Sequence, residues 1–260
     1  MGARSSQPMQ QSGQAAVETA IVMPLFVFLL LGILQLGLMH QARLVTKYAA
    51  YKAVRAGALH HNDVATMERA ALAVLLPLVS HDSSGAEVVK PMASASDFRA
   101  KWQAFGVRAN TMPDAQGMKY AEVTICHPLQ RHVQGLSSPS TKELDFDDPS
   151  IAAGSSWEEH ERTKLSVQVT FNYRLPIPFA NMVVHLIARG QERATLLNVL
   201  RMGKEASVPK NDKYTEVAEA EKIYILPIRA SYTMRMQSNL HTEPLPTQNQ
   251  CVIPFGKKGP

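Results

Sequence analysis

Charge is missing where its absence says most: residues 19–39, twenty-one in all, contain no Asp, Glu, Lys or Arg. A helix rises about 1.5 Å per residue, so this run reaches roughly 31 Å, the depth of a bilayer's hydrocarbon core. A small-x-small cleavage motif is missing as well. The run continues through Leu38, Met39, His40 and Gln41, and it outlasts the apolar region of a secretory signal. The segment is expected to stay attached at that end and to cross a membrane once. Chemical motifs are equally scarce, for the chain has no G-x-S-x-G, no H-E-x-x-H, no P-loop and no dinucleotide-binding glycine fingerprint. No catalytic residue, cofactor or metal is expected, and the protein reads as a non-enzyme.

Nucleic acid is also an unpromising partner. The net charge is +5, but the basic residues are scattered and lack a stripe with aromatic residues between them. The local extremes say more. Arg43, Lys47, Lys52 and Arg55 follow the apolar run, while Glu143, Asp145, Asp147 and Asp148, then Glu158, Glu159 and Glu161, make an acidic stretch. Only two cysteines occur, Cys126 and Cys251. An even number suits one disulfide in an oxidising compartment, and two independent buried thiols are the alternative.

Within the apolar segment three features need a reason. Glu18 stands at its mouth, where a carboxylate would cost about 2.5–3.5 kcal/mol if carried to the bilayer centre and less at the interface. Such a charge is expected to find a cationic partner, the alternative being a helix N-terminal acid favoured by the helix dipole. Pro24 lacks a backbone donor, a loss that is cheapest in the first turns of a helix. Gly32 and Gly37 are five apart and make no GxxxG face.

The string Gly13, Gln14, Ala15, Ala16, Val17, Glu18, running into an apolar stretch with Pro24 and Gly32, resembles the processing site of type IV prepilins. In detail it resembles the TadE/TadG-like family of pilus-assembly pseudopilins. The resemblance implies a polar leader over residues 1–13, cut after Gly13 by a prepilin peptidase so that Gln14 begins the mature chain. It places Glu18 fifth and implies that this carboxylate meets the amine of a neighbouring subunit. It also implies a Gram-negative envelope, with single-pass insertion in the inner membrane and a periplasmic or extracellular carboxyl-terminal domain. The implied partners are the lipid bilayer, other pilus or pseudopilin subunits and the inner-membrane assembly platform. Two features depart from the pattern. The leader has only Arg4 as a basic side chain while four follow the span, the reverse of the positive-inside rule. Gln14 replaces the phenylalanine of better-known pilins.

Beyond the membrane, residues 41–59 predict a helical continuation with Leu44, Tyr48, Tyr51, Val54 and Ala58 on one face. His60 and His61 end it and point in different directions, unlike a metal pair. Residues 64–79 predict a second helix, capped by Asn62 or Asp63 and burying Ala70, Ala71, Val74, Leu75 and Leu78, with Pro77 disturbing its last turn. A short helix over 96–105 is anchored by Trp102 and Phe105. Strands are predicted over 119–127, 163–173 and 223–236, the second alternating between Leu165, Val167, Val169, Phe171, Tyr173 and polar Ser166, Gln168, Thr170, Asn172. They suggest an antiparallel sheet with one solvated face and helices on the other. Residues 129–162 read as an acidic loop; around Asp145 and Asp147 it lacks the glycine and distant glutamate of an EF-hand. Residues 177–200 read as an apolar helix, too interrupted by Arg189, Glu192 and Arg193 for a second span, lying in the core or on the membrane surface.

The expected architecture is therefore α+β: a leader over 1–13, a transmembrane and spine helix over 14–59, and an extracytoplasmic domain over 60–260. The expected role is a pseudopilin-like component of a Tad-type pilus or related secretion machinery. The rival is a membrane-tethered binding module or envelope enzyme that uses the helix only as an anchor.

Overall fold

A computed structural model describes residues 11–79, 92–104, 106–115, 117–136, 142–151, 153, 156–192 and 213–252. It divides into two compact units, Met1–Met39 with Leu175–Lys210, and His40–Arg174 with Asn211–Pro260. A single helix, α1 (Gln11–Leu59), supplies residues to both.

In the larger unit the three expected strands form one antiparallel sheet, β1 (Ala121–His127), β3 (Lys164–Arg174) and β4 (Ile225–Arg235), in the order β1-β3-β4. The central β3 pairs Val169 with Val123 on one side and with Ala230 on the other. Pro227 lies opposite Asn172. A proline cannot donate to a ladder, and it is tolerated here because β4 is an edge strand.

The helix α2 (Val64–Leu75) begins where Asp63 accepts hydrogen bonds from the Ala65 and Thr66 amides, and a 3₁₀ turn (Leu76–Leu78) carrying Pro77 ends it. Its buried residues are Met67, Ala71, Leu72 and Leu75, so the face is rotated from the expected one; Ala70, Val74 and Leu78 are only half-buried. Leu72, Leu76 and Val79 join Val107, Tyr120 and Ile225 in the core, with Trp102 packed against it. Trp102 ends α3 (Ala95–Trp102), which Ser94 and Asp97 open as a reciprocal cap, and its ring stacks on Phe98. Phe105 lies outside the described residues.

The acidic stretch is more structured than a loop. It holds two one-turn helices, α4 (Gln130–Val133) and α5 (Trp157–His160), and a short strand, β2 (Glu143–Leu144), that pairs with β5 (Leu240–His241). Asp145 and Asp148 each accept a backbone N–H two residues on, turn chemistry that occupies these carboxylates locally. Helix α6 (Ala180–Glu192) covers the first half of the apolar 177–200 stretch, whose second half lies outside the described residues. One further helix, α7 (Lys213–Ala220), has no counterpart in the sequence reading.

The second face of β3 is not solvated. Gln168, Thr170 and Asn172 are all buried. Asn172 donates to the Lys119 carbonyl and accepts from the Tyr214 hydroxyl of α7, while Gln168 meets the chain near Val252. Periodicity alone assigned these polar side chains to water; amides that satisfy both ends can be buried instead.

The same device recurs. Asn62 donates to the His241 carbonyl and accepts from the His241 amide. Asn110 does this with Ala121, and Gln168 with Val252. Each amide side chain stands in for a neighbouring strand. Replacing Asn62 with Asp keeps the shape but removes the donor, leaving a buried carbonyl unpaired beside a new carboxylate. We expect Asn62→Asp to lose about 1–3 kcal/mol, read as a lower urea midpoint of the detergent-solubilised protein.

Asp63 makes a gentler prediction. Its carboxyl lies below its ordinary value of 3.8, held there chiefly by the Thr66 hydroxyl and then by backbone amides. A depressed acid stabilises the fold above its unfolded value, and that contribution disappears as pH falls through the lower folded value. Asp63→Ala should therefore cost about 1 kcal/mol near neutrality, and the difference from the parent should vanish in strong acid.

Candidate functional site

The candidate site is the amino-terminal half of α1, built here from its first turn upward. The Gly13–Gln14 junction lies on α1, which is described from Gln11 onward. Its glycine is about 1 kcal/mol poorer than alanine in a helix interior, which eases local unwinding there. Glu18 follows one turn after Gln14 and is exposed. Pro24 is the fourteenth residue of α1 rather than part of its first turns, and the helix continues through it. Proline has no N–H to offer the carbonyl four residues back, a gap that lipid cannot fill but a neighbouring polar group can.

The apolar side chains beyond Glu18 are exposed around the helix. Ile21, Met23, Phe26, Leu29 and Ile33 are each more than half exposed, and they do not share one face. In water a helix that is apolar all round has no stable place; it belongs inside a protein or a bilayer. Residues 16–59 are the stretch of described helix long and apolar enough to cross a membrane. This makes a membrane anchor the plain physical reading of the segment.

Shading is confined to one stripe. Leu31, Gly32 and Met39 are half-buried and Gln35 is fully buried, a spacing of about one turn. The Gln35 side-chain oxygen accepts the Ile177 N–H at 3.1 Å. Sequence reasoning passed over Gln35, although a lone amide inside an uncharged apolar run was the available signal. Gly32 and Gly37 have open space where a Cβ would stand, so neither marks a close approach within the chain.

From His40 onward the buried face of α1 is built mostly of small side chains. Ala42, Thr46, Ala49, Ala50, Ala53, Val54, Gly57 and Ala58 are buried, whereas Leu44 and Tyr48 stand exposed and Tyr51 is half-buried. Of the expected face, Val54 and Ala58 are thus buried while Leu44 and Tyr48 point outward. Small side chains let the helix backbone approach its neighbours: a Cβ at Gly57 would fall 2.8 Å from Leu165 of β3. Arg43, Lys47 and Arg55 are exposed, and the Lys52 ammonium lies 5.3 Å from the Tyr48 ring.

The two cysteines are joined. Cys126 at the end of β1 and Cys251 have Cα atoms 5.5 Å apart and form a disulfide across a separation of 125 residues. Val252 is then gripped from both sides of its peptide group by Gln168, at 2.9 Å each way. His61 stacks on His241 and its Nδ1 lies 2.9 Å from the Asn239 carbonyl, while His241 faces Glu143. Among the described residues no cluster of three or more His, Cys, Asp or Glu side chains is placed to hold a metal ion. An open cleft of about 480 Å³ is lined by Arg131, Gln134, Thr242 and Glu243.

Among known families, TadE, described as TadE-like protein, matches over residues 13–55. The match starts on the glycine of the prepilin-like junction and ends on the last basic residue of the spine, 43 of 260 residues. It speaks for the first helix and not for the domain beyond. No curated protein and no solved structure matches the chain.

Proposed function

We propose that this protein is a membrane-anchored, pseudopilin-like component of a Tad-type pilus or a related secretion machinery, structural rather than enzymatic. One observation carries the reading: a TadE-like match that begins at Gly13 falls on a helix whose apolar surface is exposed on all sides from just after Glu18. In this reading prepilin peptidase cuts after Gly13, the helix holds the chain in the inner membrane, and the carboxyl-terminal domain lies outside the cytoplasm. The disulfide supports that side of the membrane, because a cytoplasm keeps thiols reduced. It weighs against the basic residues after the span, which taken alone point the other way.

Glu18 is then the assembly residue. A carboxylate drawn toward lipid is costly, and the amine freed on Gln14 of a neighbouring subunit offsets that cost when the helices meet. The exposed Leu44 and Tyr48 extend the same surface outward, where other pilus subunits or the assembly platform would pack. Substitution of each residue separates the two steps. Gly13→Leu should leave the leader in place on a gel. Glu18→Ala should be processed yet lower pilus output by about 100-fold, because the neighbour's Gln14 amine then enters the apolar region without a counter-charge, at a cost of about 2.5–3.5 kcal/mol. Normal processing of the first and normal pili from the second would remove the reading.

A further inference from the structure

We infer that α6 is a second lipid-contacting element, an amphipathic anchor that enters the same leaflet as the carboxyl-terminal end of the α1 span. The inference rests on the membrane-spanning reading of α1 and goes beyond it.

The argument begins with depth. Gln35 lies four residues before Met39, the end of the uncharged run, and is therefore about 6 Å inside it along the helix axis. Its side chain holds the Ile177 N–H, so the turn leading into α6 is fixed at that level of the span. Helices that lie in a membrane interface bury their apolar face about 5–10 Å deep, which is the same range.

The surface presented at that depth is apolar. Met182, Val183, Leu186 and Ile187 recur at helical spacing and so share one face of α6, and Phe179 stands in the turn just before it. Four of them are exposed, Phe179 at 72%, Met182 at 45%, Leu186 at 60% and Ile187 at 55%. His185, on the other side, is buried, and Asn181, Val184 and Ala188 beside it are half-buried. A helix that buries one face and leaves a continuous row of large apolar side chains on the opposite one has an unfilled contact. The lipid around α1 reaches this row without any further partner, because Gln35 ties both elements together within one unit.

Backbone conformation points the same way. Phe179 has φ of +65°, a region that a bulky side chain seldom occupies and that glycine or asparagine would take without strain. An aromatic ring is retained there although the turn would suit a smaller residue.

The test uses the full chain in vesicles of phosphatidylethanolamine and phosphatidylglycerol whose acyl chains are brominated near the headgroup end. Phe179→Trp and Leu186→Trp place a probe in the row, and Leu29→Trp places one in the α1 span; the signal of native Trp102 and Trp157 is subtracted with the parent protein. We expect each added tryptophan to emit in the blue, and Phe179→Trp and Leu186→Trp to lose about half of their intensity because a depth of about 5–10 Å brings them among the bromines. Leu29→Trp, about 15 Å deep, should lose as much in a second set of vesicles brominated near the chain ends. Loss at Leu29→Trp with none at either position of the row overturns the inference, by exposure to water if the emission is red and by a covering protein copy if it is blue. An unquenched Leu29→Trp overturns the span itself, which is a different failure.

Discussion

Cys251→Ser is expected to lower the stability of the larger compact unit by about 4–5 kcal/mol, the largest single effect in the molecule. The size follows from the length of chain closed by the bridge, a sequence separation of 125. Opening that loop returns conformational freedom to the unfolded state, which grows with the logarithm of loop length. The folded state loses less, because Gln168 still holds Val252 and the Gln130 amide still donates to the Pro246 carbonyl. The urea midpoint of the detergent-solubilised protein should fall on substitution. Dithiothreitol should reproduce the fall in the parent and add nothing to the variant. A parent protein indifferent to reductant would mean two separate thiols, the alternative that the sequence left open.

Gly57→Val should cost about 3 kcal/mol by overpacking. A Cβ at this position would stand 2.4 Å from the Met67 sulfur and 2.8 Å from a Leu165 methyl. The methionine tail can bend away. Leu165 cannot follow easily, because it is fully buried on the central strand and paired with Met234. Gly57→Ala is the milder case: it regains about 1 kcal/mol of helix propensity, which offsets part of the clash. Gly37→Val on the same helix provides the contrast, since nothing lies within 4 Å of that position, and its urea midpoint should stay near that of the parent. Equal effects at the two glycines would mean that the alanine face of α1 does not approach the sheet as described.

How legible this molecule was depended on the kind of signal. The span and the three main strands follow from runs and alternation, which are properties of neighbouring residues. The rotated faces of α1 and α2 were not legible, because the pattern rule weights large apolar side chains. The chain instead buries Ala49, Ala53 and Gly57, leaving Leu44 and Tyr48 outside. The buried polar face of β3 was illegible for another reason. Gln168 reads as a solvated residue until Val252, eighty-four residues away, supplies both of its hydrogen bonds. Asn62 and Asn110 pose the same problem, although each adopts a left-handed backbone that asparagine tolerates better than most residues. The strand pair β2 and β5 is only two residues long on each side, too short for any periodicity.

The candidate site itself was legible almost entirely by register. A glycine, an acid five places past it and an uncharged run can be counted in the sequence, and the family match begins on that glycine. Gln35 and α6 were not part of that register. Their relation appears only when the Ile177 amide is found on the Gln35 side chain.

The most direct measurement is the intact mass of the protein isolated from its native envelope. A chain that begins at Gln14, lighter by its first thirteen residues, is the predicted result. A chain that still begins at Met1 or Gly2 would contradict the account, for the helix would then be an anchor with no processing step and no freed amine for Glu18 to meet.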